Sequence, residues 1–258
     1  IATISTNNDS ELGEIIAEAF IQVGKTGVVI IEPSQHGETK VEIVEGVEYD
    51  KGLLNPNFVT NKENNTAELD NPLVLIVDSK IDSIRQIQNV LEYVIKNNKA
   101  LFIIGDVEPP VLSALVMNKM KGNIKVNIVD PPAFGLKRKE ILEDIALLTN
   151  SQIINEDLGD DLNTIEVDYL GTCLKTTTSN DQTIIQVESI SEEVENIISD
   201  IKTKLSKKLK AHEVVMYEHR LARLSAKVAI VKVGANSDIE LKEKQDRVED
   251  AICATKAA

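Results

Sequence analysis

The sequence predicts an α/β protein: a mainly parallel sheet flanked by helices, with added β-strands, and a smaller α+β portion drawn from both chain ends. Three observations lead there. From 73 to 154, short apolar runs alternate with stretches of helical period, the pattern of successive βαβ units. On either side of that block lie segments of period-two alternation, as half-buried strands require. Each end of the chain pairs one amphipathic helical stretch with one apolar strand, so two similar half-units flank the core.

In chain order, "SELGEIIAEAFIQV" (10–23) has helical spacing and "GVVIIE" (27–32) reads as a strand, followed by the alternating "TKVEIVEGVEYD" (39–50). "KGLLNPNFVTNK" (51–62) places Leu53, Leu54, Phe58 and Val59 among Asn55, Pro56 and Asn57, apolar residues where turn chemistry predicts solvent. The core then runs "LVLIVD", a helix over 84–97, "ALFIIGD", a helix over 110–121, "KVNIVD", a helix over 136–149, and "SQIIN". "DYLGTCLK" and "DQTIIQV" read as further half-buried strands, and 192–224 as two charged helices meeting near His212. "KVAIVKVG" (227–234) is an apolar strand and 238–256 a helix, while the Asn-rich "NKENN" and "KNNK" read as loops.

A chain of 258 residues with 42% hydrophobic content can build a sizeable core. Its longest apolar runs, such as "LVLIV" at 73–77, are far short of a membrane span, so no membrane partner is expected. The N-terminus lacks the basic and apolar succession of a targeting peptide, and the chain is expected to start within a longer protein or after processing. Cys173 and Cys253 are far apart, without CxxC spacing, which favours a reducing compartment. A net charge of −14 argues against nucleic acid, and the basic cluster "KTKLSKKLKAH" (202–212) reads as a solvated helix face.

Most candidate chemistry fails on spacing. "VGKTG" (23–27) shares the ending of a phosphate loop, but the required first Gly falls at Ala19, inside a predicted helix. No GxGxxG occurs at a strand-to-helix turn, and His36, His212 and His219 are scattered, so neither a nucleotide fold, a metal site nor a triad is indicated. The pairs Glu143/Asp144, Asp160/Asp161 and Glu249/Asp250 are adjacent in sequence, so on helices their side chains diverge. An enzyme reading would place its site at the C-terminal ends of the parallel strands, near Gly105 or Asp130.

Two helices carry more information. Over 84–97, Ile84, Ile87, Val90, Leu91, Val94 and Ile95 make one apolar face, with Arg85, Gln86, Gln88, Asn89 and Glu92 opposite. In the next helix, Val111, Ala114 and Leu115 form one face and Leu112, Val116, Met117 and Met120 carry it nearly round the axis. A helix this apolar is either buried on both sides, the commoner case, or presents a face to a partner. A helix packed on a sheet needs only one apolar face, so the second stripe needs a cover, and another chain laid between the helices is one that fits.

Several long stretches stand in a recognisable order. The first, "IVEGVEYDKGLLNPNF" (43–58), resembles "VVEGMQFDRGYLSPYF" of the GroEL-type group I chaperonins. "NKMKGNIKV" (118–126), "PPAFGLKRKEILEDIALLT" (131–149) and "VKVGANSDIELKEKQDRVEDAICATKAA" (231–258) resemble further family stretches in order and spacing. The resemblance implies an apical, polypeptide-binding domain over 45–228 and an intermediate domain from 1–44 and 229–258. The equatorial domain, which in the family holds the nucleotide pocket, has no counterpart in these residues.

By position, the resemblance implies a capture groove for non-native polypeptides and a GroES-type co-chaperonin. Its lining would be Leu53, Asn57 and Phe58 from the extended segment, Ile87, Gln88, Leu91 and Ile95 from the first helix, and Leu112, Val116 and Met117 from the second. Leu53 and Phe58 are expected as one wall, with Leu54 and Val59 packing inward. Asp250 matches the aspartate that assists ATP hydrolysis, and Lys51 and Asp238 match an inter-subunit pair. The fragment itself is expected to bind no cofactor and to be no enzyme. Its parent would be an ATP- and Mg-dependent, stress-responsive folding machine, a homo-oligomeric ring, heptameric and single or double. It would work in a bacterial cytoplasm or in the mitochondrial matrix or a plastid. Several positions depart from the family: Leu53 and Asn57 for tyrosines, Gln88 for a leucine, Lys51 for an arginine, Ala133, Asn150 and Ser151 for glycines, and Ala226 and Lys227 for a Gly pair.

Overall fold

The computed structural model describes residues 2–6, 9–24, 27–34, 37–207, 210–235 and 237–256. Lys25 and Thr26 of "VGKTG", and His36, lie outside the described residues. The helices are α1 (Ala2–Ser5), α2 (Ser10–Val23), α3 (Gln88–Lys96), α4 (Pro109–Met120), α5 (Gly135–Thr149), α6 (Glu192–Leu205), α7 (Ala211–Leu224) and α8 (Asp238–Lys256). The strands are β1 (Val28–Pro33), β2 (Lys40–Tyr49), β3 (Ala67–Asp70), β4 (Leu73–Val77), β5 (Ala100–Ile104), β6 (Lys125–Val129), β7 (Ile153–Ile154), β8 (Gly171–Thr172), β9 (Lys175–Thr178), β10 (Thr183–Val187) and β11 (Lys227–Val233). The chain divides into two compact units, one made of 1–46 with 225–258, the other of 47–224.

In the unit made from both ends, β11 pairs parallel with β1 and antiparallel with the first part of β2. Leu12, Ile16, Ala19 and Val23 of α2 recur at helical spacing and pack with Val248, Ala251 and Ile252 of α8 and with Ala229, Val231 and Val233 of β11. The start of α2 is fixed by Asp9, whose carboxylate accepts from Leu12 N at 3.1 Å. Its end is set by Gly24, at φ 69, whose N–H returns to Phe20 O at 3.0 Å. On the β2–β11 pair, Glu42 accepts from Lys232 at 2.5 Å and meets Lys40 at 2.8 Å, and the two ammonium groups hold its carboxyl below the usual carboxylate range.

The second unit is an α/β core. Its sheet runs β6-β5-β4-β7, all parallel, with β8 antiparallel to β4. Side chains alternate across it as period two requires: Leu75, Val77, Leu101, Ile103, Val126 and Ile128 face one way, into a core with Val90 and Val94 of α3 and Val111 and Leu115 of α4. Val74, Ile76, Phe102, Ile104 and Val129 face the other way, against Ile141, Leu142 and Ile145 of α5 and Val194, Ile198 and Ile201 of α6. The crossovers β4-α3-β5-α4-β6 advance in one direction, which places α3 and α4 on the same face. The next crossover returns through α5 on the opposite face to β7, on the far side of β4. An antiparallel set, β3-β9-β10, completes this unit. Asn127 of β6 is fully buried and donates to Thr178 Oγ1 of β9 at 2.9 Å.

Sequence and structure differ in detail. "DYLGTCLK" is not one strand: Val167–Tyr169 form a 3-10 turn, β8 has two residues, and β9 begins only at Lys175. The break falls where Gly171 passes so close to Thr149 O and Ser151 that a Cβ there would collide with both. "SQIIN" contributes only the two residues of β7. The helix expected over 84–97 opens with a 3-10 turn at Ile84–Ile87, where Ser83 and Gln86 form a capping box. "NKENN" is a tight reversal in which Asn61 Oδ1 accepts from Glu63 N and Asn64 N and Asn65 takes φ 53. Ala133 and Asn150 stand at φ 57 and 53, the left-handed region that favours glycine.

Candidate functional site

The face of the parallel sheet that carries α3 and α4 gathers the residues singled out between 53 and 117. Phe58, Ile87 and Val116 belong to one core with the inner sides of both helices, and Leu53, Leu54, Leu91 and Leu112 pack against it, half-buried. On the outer surface Ile95 is 51% exposed, Met117 56% and Met120 66%, and Asn57 and Gln88 are also exposed. Gln88 spends its amide on Glu92 Oε1 at 2.7 Å, one turn on. The C-terminal end of α3 and the loop after α4 meet in a shallow hollow lined by Ile95, Asn98, Lys99 and Asn123.

This corrects the expected lining in three places. Phe58 is fully buried rather than a wall with Leu53, because the 3-10 turn Pro56–Phe58 points its ring into the core while Asn57 faces solvent. Ile87 is fully buried beneath the first turn of α3, and Val116 is 7% exposed, one of the inward residues of α4. These three back the surface rather than form it. Leu54, expected to pack inward, does pack on this core, but so does Leu53.

The segment owes its path to local chemistry. Gly52 lies against the turn joining β9 and β10, where a Cβ would collide with the Asn180 carbonyl, and Leu53 N donates to Ser179 O at 2.9 Å. Asn55 Oδ1 accepts from Asn57 N at 2.9 Å and so caps the 3-10 turn. From α4, Lys119 Nζ donates to Asn57 O at 2.5 Å and Val59 O at 2.9 Å, and burial lowers the pKa of that ammonium. Sequence reasoning missed Lys119, since a lysine in the last turn of a helix reads as a solvated cation and nothing local marks a partner so distant in the chain.

Lys51 is half-buried, its ammonium 5.9 Å from the centroid of the exposed Phe134 ring. Asp238 and Asp250 are exposed on α8, in the other unit from Lys51. Among the described residues no three His, Cys, Asp or Glu side chains gather to hold a metal ion, and no helix is long and apolar enough to cross a membrane. Asp250 is an exposed carboxylate on α8, next to the exposed Glu249.

The place where an enzyme of this topology would bind its ligand is the reversal of strand order between β4 and β7. Here side chains bond to one another. Asp78, just after β4, pairs with Arg138 Nε at 2.7 Å by charge, accepts from Asn155 Nδ2 at 3.0 Å, and gives its backbone carbonyl to Arg138 Nη2. Gly105 is buried with its N–H on Val129 O. The TCP-1/cpn60 chaperonin family model matches residues 1–258.

Proposed function

The chain belongs to the TCP-1/cpn60 chaperonin family, and we propose that its unit 47–224 is the apical part of a GroEL-type, group I member, capturing non-native polypeptides on the outer surface of α3 and α4. The observation that carries this reading is the exposure of Ile95, Met117 and Met120 on helices whose inner sides already bury a full apolar face. Such an excess of apolar surface on a packed helix layer marks a contact site. Capture would involve no covalent chemistry. A client burying about 200 Å² of apolar surface gains roughly 5 kcal/mol before the cost of association. Each contact is therefore weak, and repetition around a homo-oligomeric ring, heptameric in this reading, would supply avidity. Methionine at 117 and 120 adapts to clients of different shape.

In the same reading the unit made from both chain ends is the intermediate part, and a GroES-type co-chaperonin competes for the capture surface. Lys51 and Asp238 meet between subunits, and Asp250 reaches an ATP and Mg site held by other residues of the parent. The working compartment is a bacterial cytoplasm or an organelle interior. The test is Leu112→Glu in the 258-residue chain, with binding of reduced, carboxymethylated α-lactalbumin followed by anisotropy. Binding should fall at least about tenfold with circular dichroism unchanged. Equal binding by the folded variant would refute the capture surface. ATP turnover by the isolated chain would contradict the assignment of the nucleotide site elsewhere.

A further inference from the structure

The segment 55–59 is held at two levels. From below, Phe58 is fully buried in the core beneath α3 and α4. From the side, Lys119 reaches out of the last turn of α4 and donates to Asn57 O and Val59 O, the two carbonyls that bracket Phe58. A lysine at this point of a helix ordinarily turns toward its own helix's free carbonyls or toward water. Lys119 instead crosses to a segment sixty-odd residues earlier, is half-buried there, and loses hydration enough to lower its pKa. Charge-assisted bonds to neutral carbonyls are stronger than neutral ones, and two on one ammonium fix direction as well as distance.

We propose that Lys119 is a positioning residue of the capture surface: it fastens the 55–59 segment to the end of α4 and thereby sets how the exposed Asn57 stands beside that helix. The inference rests on the capture reading given above. Its consequence is pre-organisation. A client meeting a fastened segment does not have to order it, whereas a client meeting a loosened one does, and the difference appears as faster dissociation. Phe58 keeps the segment from unfolding outright, so the staple governs local mobility rather than the fold.

The experiment compares Lys119→Met, which keeps the apolar stem and removes every donor, with Lys119→Arg, which keeps charge and donors. Amide hydrogen exchange is read at Phe58 and Val59, whose N–H groups bond to Asn55 O and Pro56 O, with β4 and β5 amides as internal controls. Lys119→Met should speed exchange at these two amides about tenfold or more, the loss expected for a charge-assisted bond, with the controls unchanged. It should also raise the dissociation rate of carboxymethylated α-lactalbumin several-fold, while Lys119→Arg restores most of both. Unchanged exchange overturns the staple, and faster exchange with unaltered client dissociation overturns its positioning role. If Leu112→Glu leaves client binding intact, the capture reading itself fails, and the role of Lys119 in capture fails with it whatever the exchange shows.

Discussion

Removing the Asp144 carboxylate should be among the most damaging single changes to the unit 47–224. Asp144, on α5, is 1% exposed, and its two oxygens take three bonds from α7: Arg220 Nε at 2.9 Å, Arg223 Nε at 2.9 Å and Arg223 Nη2 at 2.7 Å. Three charge-assisted bonds at about 1.5–3 kcal/mol each set a gross upper limit near 9 kcal/mol. Asp144→Ala does not lose all of that. The Arg220 and Arg223 side chains are 34% and 19% exposed, so both guanidinium groups regain water. A loss of about 3 kcal/mol follows, at the low end for breaking a buried pair. Arg223→Ala should cost as much or more, about 3–4 kcal/mol, because the carboxylate it strands is buried, and Arg220→Ala only about 1–2 kcal/mol, because Arg223 keeps its fork on Asp144. The assay is urea unfolding by tyrosine fluorescence. The chain has no tryptophan, and its four tyrosines, Tyr49, Tyr93, Tyr169 and Tyr217, all lie within 47–224, so the signal reports that unit alone. The midpoint should drop with the slope unchanged. A loss below about 1 kcal/mol for Asp144→Ala, or additive losses in the Asp144/Arg223 double-mutant cycle, would refute the reasoning.

Two further predictions test local features. Ala133 stands at φ 57 without the freedom of glycine, so Ala133→Gly should stabilise the unit by about 1 kcal/mol in the same assay, and a destabilised variant would contradict the strain. Cys173 is buried and its thiol is pushed up to about 12, whereas Cys253 is exposed. A thiol reagent at pH 8 should label Cys253 alone until denaturant is added. The raised pKa stabilises the folded state fully below the free-thiol value of 9.0, and that contribution is lost as pH rises toward about 12. Rapid labelling of Cys173 in the native chain would overturn its burial.

The sequence made the α/β core readable because its strands are buried on both faces. "LVLIV" and "ALFII" are unbroken apolar runs between amphipathic helices, and no other arrangement buries both. On 110–121 periodicity likewise marks apolar residues nearly all round the axis, and of these Met117 and Met120 are exposed while Val116 is buried. What periodicity does not give is depth. Phe58 and Leu53 are both apolar residues in a turn-rich stretch, and only the 3-10 turn at Pro56 decides that the ring goes inward and Asn57 outward. Likewise "DYLGTCLK" alternates well enough for a strand, but the close passage of Gly171 over Thr149 and Ser151 is a tertiary constraint. Glu143 and Asp144 stand side by side in the sequence with nothing to separate them but the divergence of neighbours on a helix, whereas Asp144 is the buried anchor of α7. Its partners lie on a helix far along the chain, where local pattern carries no trace of them.

The central claim, that unfolded chains lie across α3 and α4, is tested most directly by site-specific photo-crosslinking. A benzophenone amino acid replaces Met117 in one sample and, as a control on the other unit, the exposed Cys253 in a second. With carboxymethylated α-lactalbumin present, irradiation should couple the client to position 117, with little coupling at 253 and none at 117 when native α-lactalbumin is used instead. Equal coupling at both positions, or none at 117 from a chain that still binds the unfolded client, would contradict the account.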